Sequence, residues 1–190
     1  MIAISSYTYA DSNNDLNNIY KQMKPSFGMA ADFEQVKTIT VLSHPLISKG
    51  VVFFIDTENI SWRQTIPYRV EMNFTPKGII ECLDDCKSKI PATISNPFVT
   101  ALSQAFVSLL VGSPKQLESY FDIKVEEQRQ EGWQLSLTSI NPMLSDVIKQ
   151  INLTGDQYLR SLHIFEMNGD HTLLTFSNHH TTVSAIPEIK

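Results

Sequence analysis

The chain has 190 residues, which is long enough for one domain with a sizeable core. Its composition, 42% hydrophobic and 18% charged, is ordinary for a globular protein. The formal net charge is −5 and Lys and Arg form no cluster along the sequence, which argues against a nucleic-acid-binding protein. No apolar run approaches the roughly 20 residues that a membrane-spanning helix needs.

The first ten residues are mildly apolar, contain no basic residue and end in Thr8-Tyr9-Ala10. Small residues in this arrangement are typical of a signal-peptidase site, although ten residues are too few for a complete signal peptide. Two interpretations of residues 1–12 stay open. They are either the remnant of a signal peptide or an ordinary flexible terminus.

Apolar residues at helical spacing (Leu16, Ile19, Tyr20 and Met23) predict a first helix over 14–24, which Pro25 ends. Alternating apolar residues between turn-forming residues then predict strands near 31–42, 47–56, 59–65, 68–75, 78–83 and 86–90. The spacers between these strands are short. We therefore expect consecutive antiparallel hairpins rather than parallel strands with helical crossovers.

A second helix interrupts the strands. Asn96-Pro97 supplies a helix cap and a first-turn proline, and apolar residues recur at helical spacing until Gly112. The bulky residues of this helix are Phe98, Leu102, Phe106 and Leu109. A lone apolar helix between two sets of strands has to bury these side chains against the sheet.

The remaining sequence predicts short helices at 114–120 and 142–148 and strands near 121–128, 131–138, 150–154, 158–167 and 171–177. About eleven antiparallel strands in one domain favour a sheet that curls towards a barrel. The predicted fold class is therefore α+β. It is an open half β-barrel with the central helix as a lid over its concave face. We expect residues 13–178 to form this domain and 179–190 to be a polar C-terminal tail.

The sequence contains no catalytic constellation that we can identify. It has neither a Gly-x-Ser-x-Gly turn nor a glycine-rich phosphate loop. No two carboxylates are placed so that different surroundings would drive their pKa values apart, as an acid and base pair needs. His171, His179 and His180 would bind a metal only if they converged, and adjacent histidines on a polar tail are more often solvated. We predict no catalytic residue, no metal and no cofactor.

The two cysteines are Cys82 and Cys86, in Cys-Leu-Asp-Asp-Cys. If the three intervening residues form a hairpin loop, the two thiols face each other and could form a disulfide in an oxidising compartment. The alternative is a pair of free thiols in a half-exposed strand. Two sulfurs with no histidine at ligand spacing make a poor zinc site.

Motifs in a fixed order over residues 13–178 resemble those of the LolA-like family of periplasmic outer-membrane lipoprotein carriers. The similar segments are Phe33-Glu34-Gln35, Ser48-Lys49-Gly50, Ile60-Ser61-Trp62 with Pro67, Trp133-Gln134-Leu135-Ser136-Leu137-Thr138, and Asn168-Gly169-Asp170 before Phe176. The segment Asp56-Thr57-Glu58-Asn59 departs from the pattern, since the lipoprotein carriers have a basic residue and a proline there. The chain therefore resembles a diverged member of the family.

The resemblance implies a periplasmic, non-enzymatic carrier that holds acyl chains of a lipoprotein or lipid in an apolar cavity and delivers them towards the outer membrane. Inner-membrane donor and outer-membrane acceptor proteins would be its partners, and the carrier itself would be a monomer. The expected cavity wall comprises Phe33, Phe54, Trp62, Val70, Met72, Phe74, Trp133, Leu135 and Met143. The expected lid face comprises Phe98, Leu102, Phe106 and Leu109.

Apolar alternation alone leaves two other interpretations open. The same half-barrel could be a periplasmic sensor or interaction domain that binds a protein partner on its concave face. The side chains assigned to the cavity could also simply fill a core, because the pattern is the same for a filled and an empty barrel.

Overall fold

The computed structural model describes residues 12–23, 27–83, 88–91, 97–111, 114–129 and 131–181. In chain order, the helices and strands of these residues are α1 (Ser12–Gln22), β1 (Met29–Thr38), β2 (Leu46–Phe54), β3 (Ile60–Ile66), β4 (Val70–Thr75), β5 (Gly78–Leu83), β6 (Ser88–Pro91), α2 (Pro97–Val111), α3 (Pro114–Tyr120), β7 (Phe121–Arg129), β8 (Gly132–Ser139), α4 (Pro142–Ser145), β9 (Ile148–Gly155), β10 (Leu159–Glu166) and β11 (His171–Thr181). Within the described ranges, no helix is long and apolar enough to cross a membrane.

The strands form a single antiparallel sheet in the order β6-β5-β4-β3-β2-β1-β11-β10-β9-β8-β7. Consecutive hairpins build two wings, and the pairing of β1 with β11 joins the wings at the centre. The edge strands β6 and β7 are not paired with each other, so the sheet is open. The predicted fold class, an open half-barrel of eleven antiparallel strands with helices, is confirmed.

Several predicted boundaries differ from the structure, and two of them depend on strand pairing. Strand β11 continues to Thr181, which pairs with Met29 of β1, so residues 179–181 belong to the sheet and not to the tail. Helix α4 ends at Ser145 rather than near Ile148, because Ile148 begins β9 and pairs with Glu166 of β10. In both cases strand pairing, which local sequence does not show, decides where the element ends.

Directly paired residues of antiparallel strands point to the same face of a sheet, so the register identifies the concave face. In the N-terminal wing, one row of this face runs through Val52, Trp62 and Met72 on β2, β3 and β4. In the C-terminal wing, a row of leucines runs from Leu174 through Leu162, Leu153 and Leu135 on β11, β10, β9 and β8. All but Met72 are buried, and together they form a continuous apolar surface.

Helix α2 lies on the concave face, where it packs against β4, β5, α3 and α4. Its sequence, PFVTALSQAFVSLLV, contains no charged residue. A helix that is apolar on nearly all sides is one that is buried between layers. The small residues Ala101 and Ala105 are buried, whereas Leu102 and Phe106 are partly exposed.

Candidate ligand-binding face

Four aromatic rings from three strands and the lid meet on the concave face. The ring of Phe33 (β1) is stacked on that of Trp62 (β3), with centroids 3.6 Å apart. Phe106 of α2 approaches Trp62 edge-on at 5.8 Å and lies 4.6 Å from Phe74 of β4. Phe33, Trp62 and Phe74 are buried. We call these three residues the aromatic wall; Phe106 of the lid covers it.

The stacking of Phe33 on Trp62 depends on Gly50 of β2, which lies between their strands and pairs directly with Phe33. A Cβ atom at Gly50 would lie 1.9 Å from the carbonyl oxygen of Arg63, where the register of β2 and β3 shifts. Glycine allows this close backbone approach and leaves the surface above β2 open for the two rings. The glycine of the Ser48-Lys49-Gly50 motif therefore has a physical explanation.

Polar side chains hold the lid to the turn between β4 and β5. The hydroxyl of Ser103, fully buried on α2, donates to the carbonyl of Thr75 at 3.0 Å, and the Gln104 amide donates to the carbonyl of Pro76 at 3.0 Å. The hydroxyl of Tyr120 donates to the Gln104 carbonyl oxygen at 2.6 Å. Burial raises the pKa of Tyr120, so this hydroxyl keeps its proton and remains a donor.

The structure brings together most of the residues that the sequence assigns to the wall. Phe54 and Leu135 are buried members of the same core as the aromatic wall, and Met72 is partly buried against it. Val70 lies further along β4, pairs with Gln64 and is half-buried. It therefore marks the margin of the face rather than its centre.

Trp133 has a different environment from the aromatic wall. Its indole lies over Gly155, where a Cβ atom would be 2.3 Å from the ring, and its Nε1 donates to the carbonyl of Asp156 at 2.7 Å. Trp133 pairs directly with Gly155 in the register of β8 and β9. These contacts make it an anchor for the turn between β9 and β10 in the C-terminal wing.

Met143, which the sequence assigns to the cavity wall, is an exposed residue in the structure. Met143 lies on the outside of α4 and is 47% exposed, whereas its neighbour Leu144 is completely buried. The side chain of Asn141 caps this one-turn helix by accepting from the Met143 N–H, and that cap fixes which residue points inward. In so short a helix, apolar character alone does not identify the inward residue.

The structure describes the side chains of three of the four residues predicted for the lid face. Phe106 contacts the wall, Leu102 is partly buried against the core, and Leu109 is buried. The side chain of Phe98 lies outside the described residues. The sequence analysis did not identify Ser103 and Gln104; the signal for them is two adjacent polar residues inside a largely apolar helix.

The arginine nearest in sequence to the wall is not a partner of the lid. Arg63 lies on the convex face, where its guanidinium forms an ion pair with Glu71 at 3.1 Å and lies 5.0 Å from the centre of the Phe53 ring. Arg63 pairs in register with Val51 and Glu71, one residue out of phase with the wall. Polar but uncharged side chains therefore connect the lid to the sheet in the described residues.

A cleft of about 210 Å³ lies where the lid meets the turn between β4 and β5. Its lining comprises Thr57, Glu58, Thr75, Pro76, Gln104, Val107, Ser108, Gln116, Ser119 and Tyr120. The volume is below the roughly 300–1,000 Å³ of pockets that bind drug-sized ligands. A larger ligand would need the space that α2 occupies.

The remaining predicted sites stay apart from this face. Cys86 lies outside the described residues, so the disulfide with Cys82 stays a prediction. His179 stacks on Tyr158 at 4.7 Å and its Nδ1 lies 3.2 Å from Arg160, whereas His171 lies beside His163. Among residues 12–181 as far as they are described, no three His, Cys, Asp or Glu side chains are grouped so that they could hold a metal.

Comparison with known proteins agrees with this geometry. The family model described as "Outer membrane lipoprotein carrier protein LolA" matches residues 26–187. No curated protein matches the chain at a significant level.

Solved structures show the same fold at low identity. A LolA superfamily protein from Nitrosomonas europaea is 9% identical, with 93% of this chain and 94% of that chain covered and a TM-score of 0.50. The structure of MucB is 12% identical, with 96% of this chain and 62% of that chain covered and a TM-score of 0.50, so this chain spans less than two thirds of MucB. The fold, the covered aromatic wall and the match over residues 26–187 together show that the chain is a diverged member of the LolA family.

Proposed function

We propose that this protein is a periplasmic carrier that holds the acyl chains of a lipoprotein or lipid on its concave face, beneath α2, and delivers them towards the outer membrane. One observation carries the proposal. The aromatic wall is an apolar surface, and it is covered by a side chain of the lid, Phe106, rather than by another strand.

The physical need for such a carrier follows from the cost of exposing acyl chains to water. Each methylene group contributes about 0.8 kcal/mol to burial, so a lipid with several chains does not cross an aqueous compartment unaided. The protein has to offer a broad apolar face and also release its cargo. A covering helix serves both requirements, because helix and acyl chain compete for the same surface.

The contacts of α2 suit a lid that opens. Its apolar side chains stabilise the closed form, and Ser103 and Gln104 donate hydrogen bonds to the main-chain carbonyls of Thr75 and Pro76. Neutral hydrogen bonds of this kind contribute about 0.5–1.5 kcal/mol each. An acyl chain that replaces Phe106 on the wall recovers its apolar contact, while these two hydrogen bonds are exchanged for bonds to water.

The proposal includes the partners that a carrier needs. We expect a donor protein at the inner membrane to load the carrier and an acceptor protein at the outer membrane to receive the cargo. The carrier itself is expected to be a monomer that catalyses no reaction. The departure at Asp56-Thr57-Glu58 from the family pattern lies beside the cleft at the lid and supports a cargo other than the usual lipoproteins.

A reversible lock on the lid tests the proposal. The Ser103 hydroxyl lies 3.0 Å from the main-chain carbonyl of Thr75, so α2 and β4 are in contact at these two positions, where a cysteine pair is introduced and its oxidation is verified by thiol titration. The variant carries Thr75→Cys and Ser103→Cys with Cys82→Ser and Cys86→Ser. We expect the reduced form to bind a fluorescent fatty-acyl probe and the oxidised form to lose it. The reduced form is the matched control.

Acyl binding of equal strength in both redox states would overturn the lid assignment. Mass spectrometry of an organic extract of the purified wild-type protein gives a second readout, and we expect co-purified acyl lipids. If the extract contains no lipid and neither redox state binds the probe, the carrier proposal is wrong. The concave face is then a core or, as in the alternative interpretation, a site for a protein partner.

A further inference from the structure

The cleft at the lid lies directly beside the aromatic wall. Thr75 and Pro76, which follow Phe74 of the wall at the end of β4, form one part of its lining, and Thr57 and Glu58 of the turn between β2 and β3 form another. The remaining lining residues belong to α2 and α3. A ligand whose acyl chain replaces the lid on the wall therefore has this cleft within reach of its polar end.

Most hydrogen-bond donors of the cleft lining are already used inside the protein. The Tyr120 hydroxyl donates to the Gln104 side chain at 2.6 Å, and the Gln104 amide donates to the carbonyl of Pro76 at 3.0 Å. A hydroxyl group that donates keeps lone pairs that can accept. Three more hydroxyl groups donate to main-chain carbonyls at 2.6–3.0 Å, namely those of Thr75, Ser108 and Ser119.

Two uncharged side chains of the lining keep donors of their own, the Thr57 hydroxyl and the exposed Gln116 amide. Against these donors stand the oxygen atoms of the bonded hydroxyl groups and both carboxylate oxygens of Glu58, which only accept at neutral pH. Free acceptors therefore outnumber free donors in the cleft. A ligand group that mainly donates hydrogen bonds would suit it best.

The charge of the cleft is acidic. Glu58 is the only charged residue among the ten described residues that line it. The ion pairs of the described part of the chain use other carboxylates, so Glu58 is unpaired within it. Of the charged residues next to the lining in sequence, Asp56 and Glu118 are acidic, and Lys77 and Lys115 are basic, the side chain of Lys115 lying outside the described residues. Carboxylates thus outnumber lysines three to two.

Glu58 belongs to a turn that is held by its own hydrogen bonds. The Asp56 carboxylate accepts from the Glu58 main-chain N–H at 2.8 Å and from the Asn59 amide at 2.8 and 2.9 Å. The main-chain N–H of Ile55 donates to the Asn59 carbonyl at 3.1 Å. Because these bonds do not involve α2, Glu58 keeps its place when the lid moves.

We propose that this cleft binds a primary ammonium group at the polar end of the acyl ligand, with Glu58 as the counter-charge. An ammonium group has three donors and no acceptor, so it complements a lining whose free groups mostly accept. A phosphate group has no such donors and is repelled by Glu58. The volume of about 210 Å³ suits a head group rather than an acyl chain. This inference rests on the carrier proposal and specifies the head-group chemistry of the cargo.

Competition between ligands with one chain and different head groups tests the inference. The competitors are dodecylamine, dodecyltrimethylammonium, dodecanol and dodecyl phosphate, each displacing a fluorescent fatty-acyl probe. Trimethylammonium has the charge of the amine without its donors. The test variant is Glu58→Gln, which removes one charge from an exposed turn residue. The matched control is Glu131→Gln, which removes one charge from the exposed turn between β7 and β8, away from the cleft.

We expect dodecylamine to bind the wild type about tenfold more tightly than dodecyl phosphate, because attraction and repulsion at an exposed carboxylate each change affinity a few-fold. Dodecanol and dodecyltrimethylammonium should lie between them. The ratio should fall to within about twofold in Glu58→Gln and stay unchanged in Glu131→Gln. An equal ratio in the two variants, or trimethylammonium binding as tightly as the amine, would overturn the inference.

The same assay separates this inference from the carrier proposal. Tight binding of all four dodecyl ligands without preference overturns the ammonium site and leaves the acyl carrier intact, whereas no binding of any of them overturns both. An ammonium group can belong to a lipid head group or to a lysine of an acylated protein. Dodecanoyl lysophosphatidylethanolamine and Nα-dodecanoyl-lysine amide represent these sources, and the one that loses more affinity in Glu58→Gln identifies the source.

Discussion

The ring of Phe106 on α2 lies 4.6 Å from the ring of Phe74 on β4, and this contact joins the lid to the aromatic wall. The same ring lies 5.8 Å from Trp62, so one side chain of the lid covers two residues of the wall. Aromatic pairs at such distances contribute about 0.5–1.5 kcal/mol beyond the burial of their area. Phe106 is therefore the residue through which the closed form can be weakened without altering the wall.

We expect Phe106→Ala to weaken the closed form and strengthen acyl binding. The free energy of unfolding should fall by about 1–3 kcal/mol, less than the roughly 3–5 kcal/mol for a fully buried phenylalanine, because Phe106 is partly exposed. Affinity for a fatty-acyl probe should rise severalfold, since the competing ring is gone. Chemical denaturation and probe titration measure the two effects. Phe53→Ala on the convex face is the control and should leave probe affinity unchanged; weaker probe binding by Phe106→Ala would contradict competition.

The buried hydrogen bond of Ser103 should limit how fast the lid opens. In Ser103→Ala the carbonyl of Thr75 loses this donor, and a lost hydrogen bond of this type costs about 0.5–1.5 kcal/mol. We expect a matching fall in the free energy of unfolding and faster association of an acyl probe in stopped-flow measurements. Ser119→Ala is the control, because its hydroxyl bonds within α3 to the carbonyl of Gln116. Equal association rates for both variants would show that the Ser103 bond does not hold the lid.

Gly50→Ala should strongly destabilise the sheet. The added Cβ would lie 1.9 Å from the Arg63 carbonyl oxygen, and this contact involves main-chain atoms that cannot turn aside. Overpacking typically costs about 1–3 kcal/mol or more, and we expect Gly50→Ala to lie at the upper end of this range. Ser48→Ala, two residues earlier on β2, is the control. A Gly50→Ala protein as stable as the wild type in urea would contradict the close approach of β2 and β3.

Stability should fall on mild acidification because of His163 on β10. Burial, together with the charge of neighbouring His171, lowers the pKa of His163 below its ordinary value of 6.5, and His163 Nε2 is buried without a hydrogen-bond partner. Below pH 6.5 the unfolded chain binds a proton that the folded protein resists, so the folded state is destabilised as the pH falls towards the lowered pKa.

The difference in unfolding free energy between about pH 7.5 and pH 5.5, on either side of the ordinary histidine pKa, measures this effect. We expect the difference to shrink in His163→Leu but not to vanish, because burial and Arg160 also lower the pKa of His179. A pH dependence identical to that of the wild type would show that His163 does not contribute.

Local sequence patterns predicted the helices and strands and the pairing of consecutive strands. Alternation of apolar residues, turn residues such as Asn168-Gly169-Asp170 and short spacers are local properties, and they indicated eleven antiparallel strands with an apolar helix between two wings. The bulky residues of that helix also follow from spacing, and three of them, Leu102, Phe106 and Leu109, pack against the core as expected.

Which side chains contact each other depends on pairing and packing between distant parts of the chain. The pairing of β1 with β11 joins residues far apart in the sequence and extends the sheet to Thr181. The ring of Phe33 can stack on that of Trp62 because strand β2, which lies between their strands, has a glycine at this position. The exposure of Met143 depends on the cap of a single helical turn. Local sequence patterns indicate on which face of its helix or strand a residue lies. Contacts across the sheet determine which residues it neighbours.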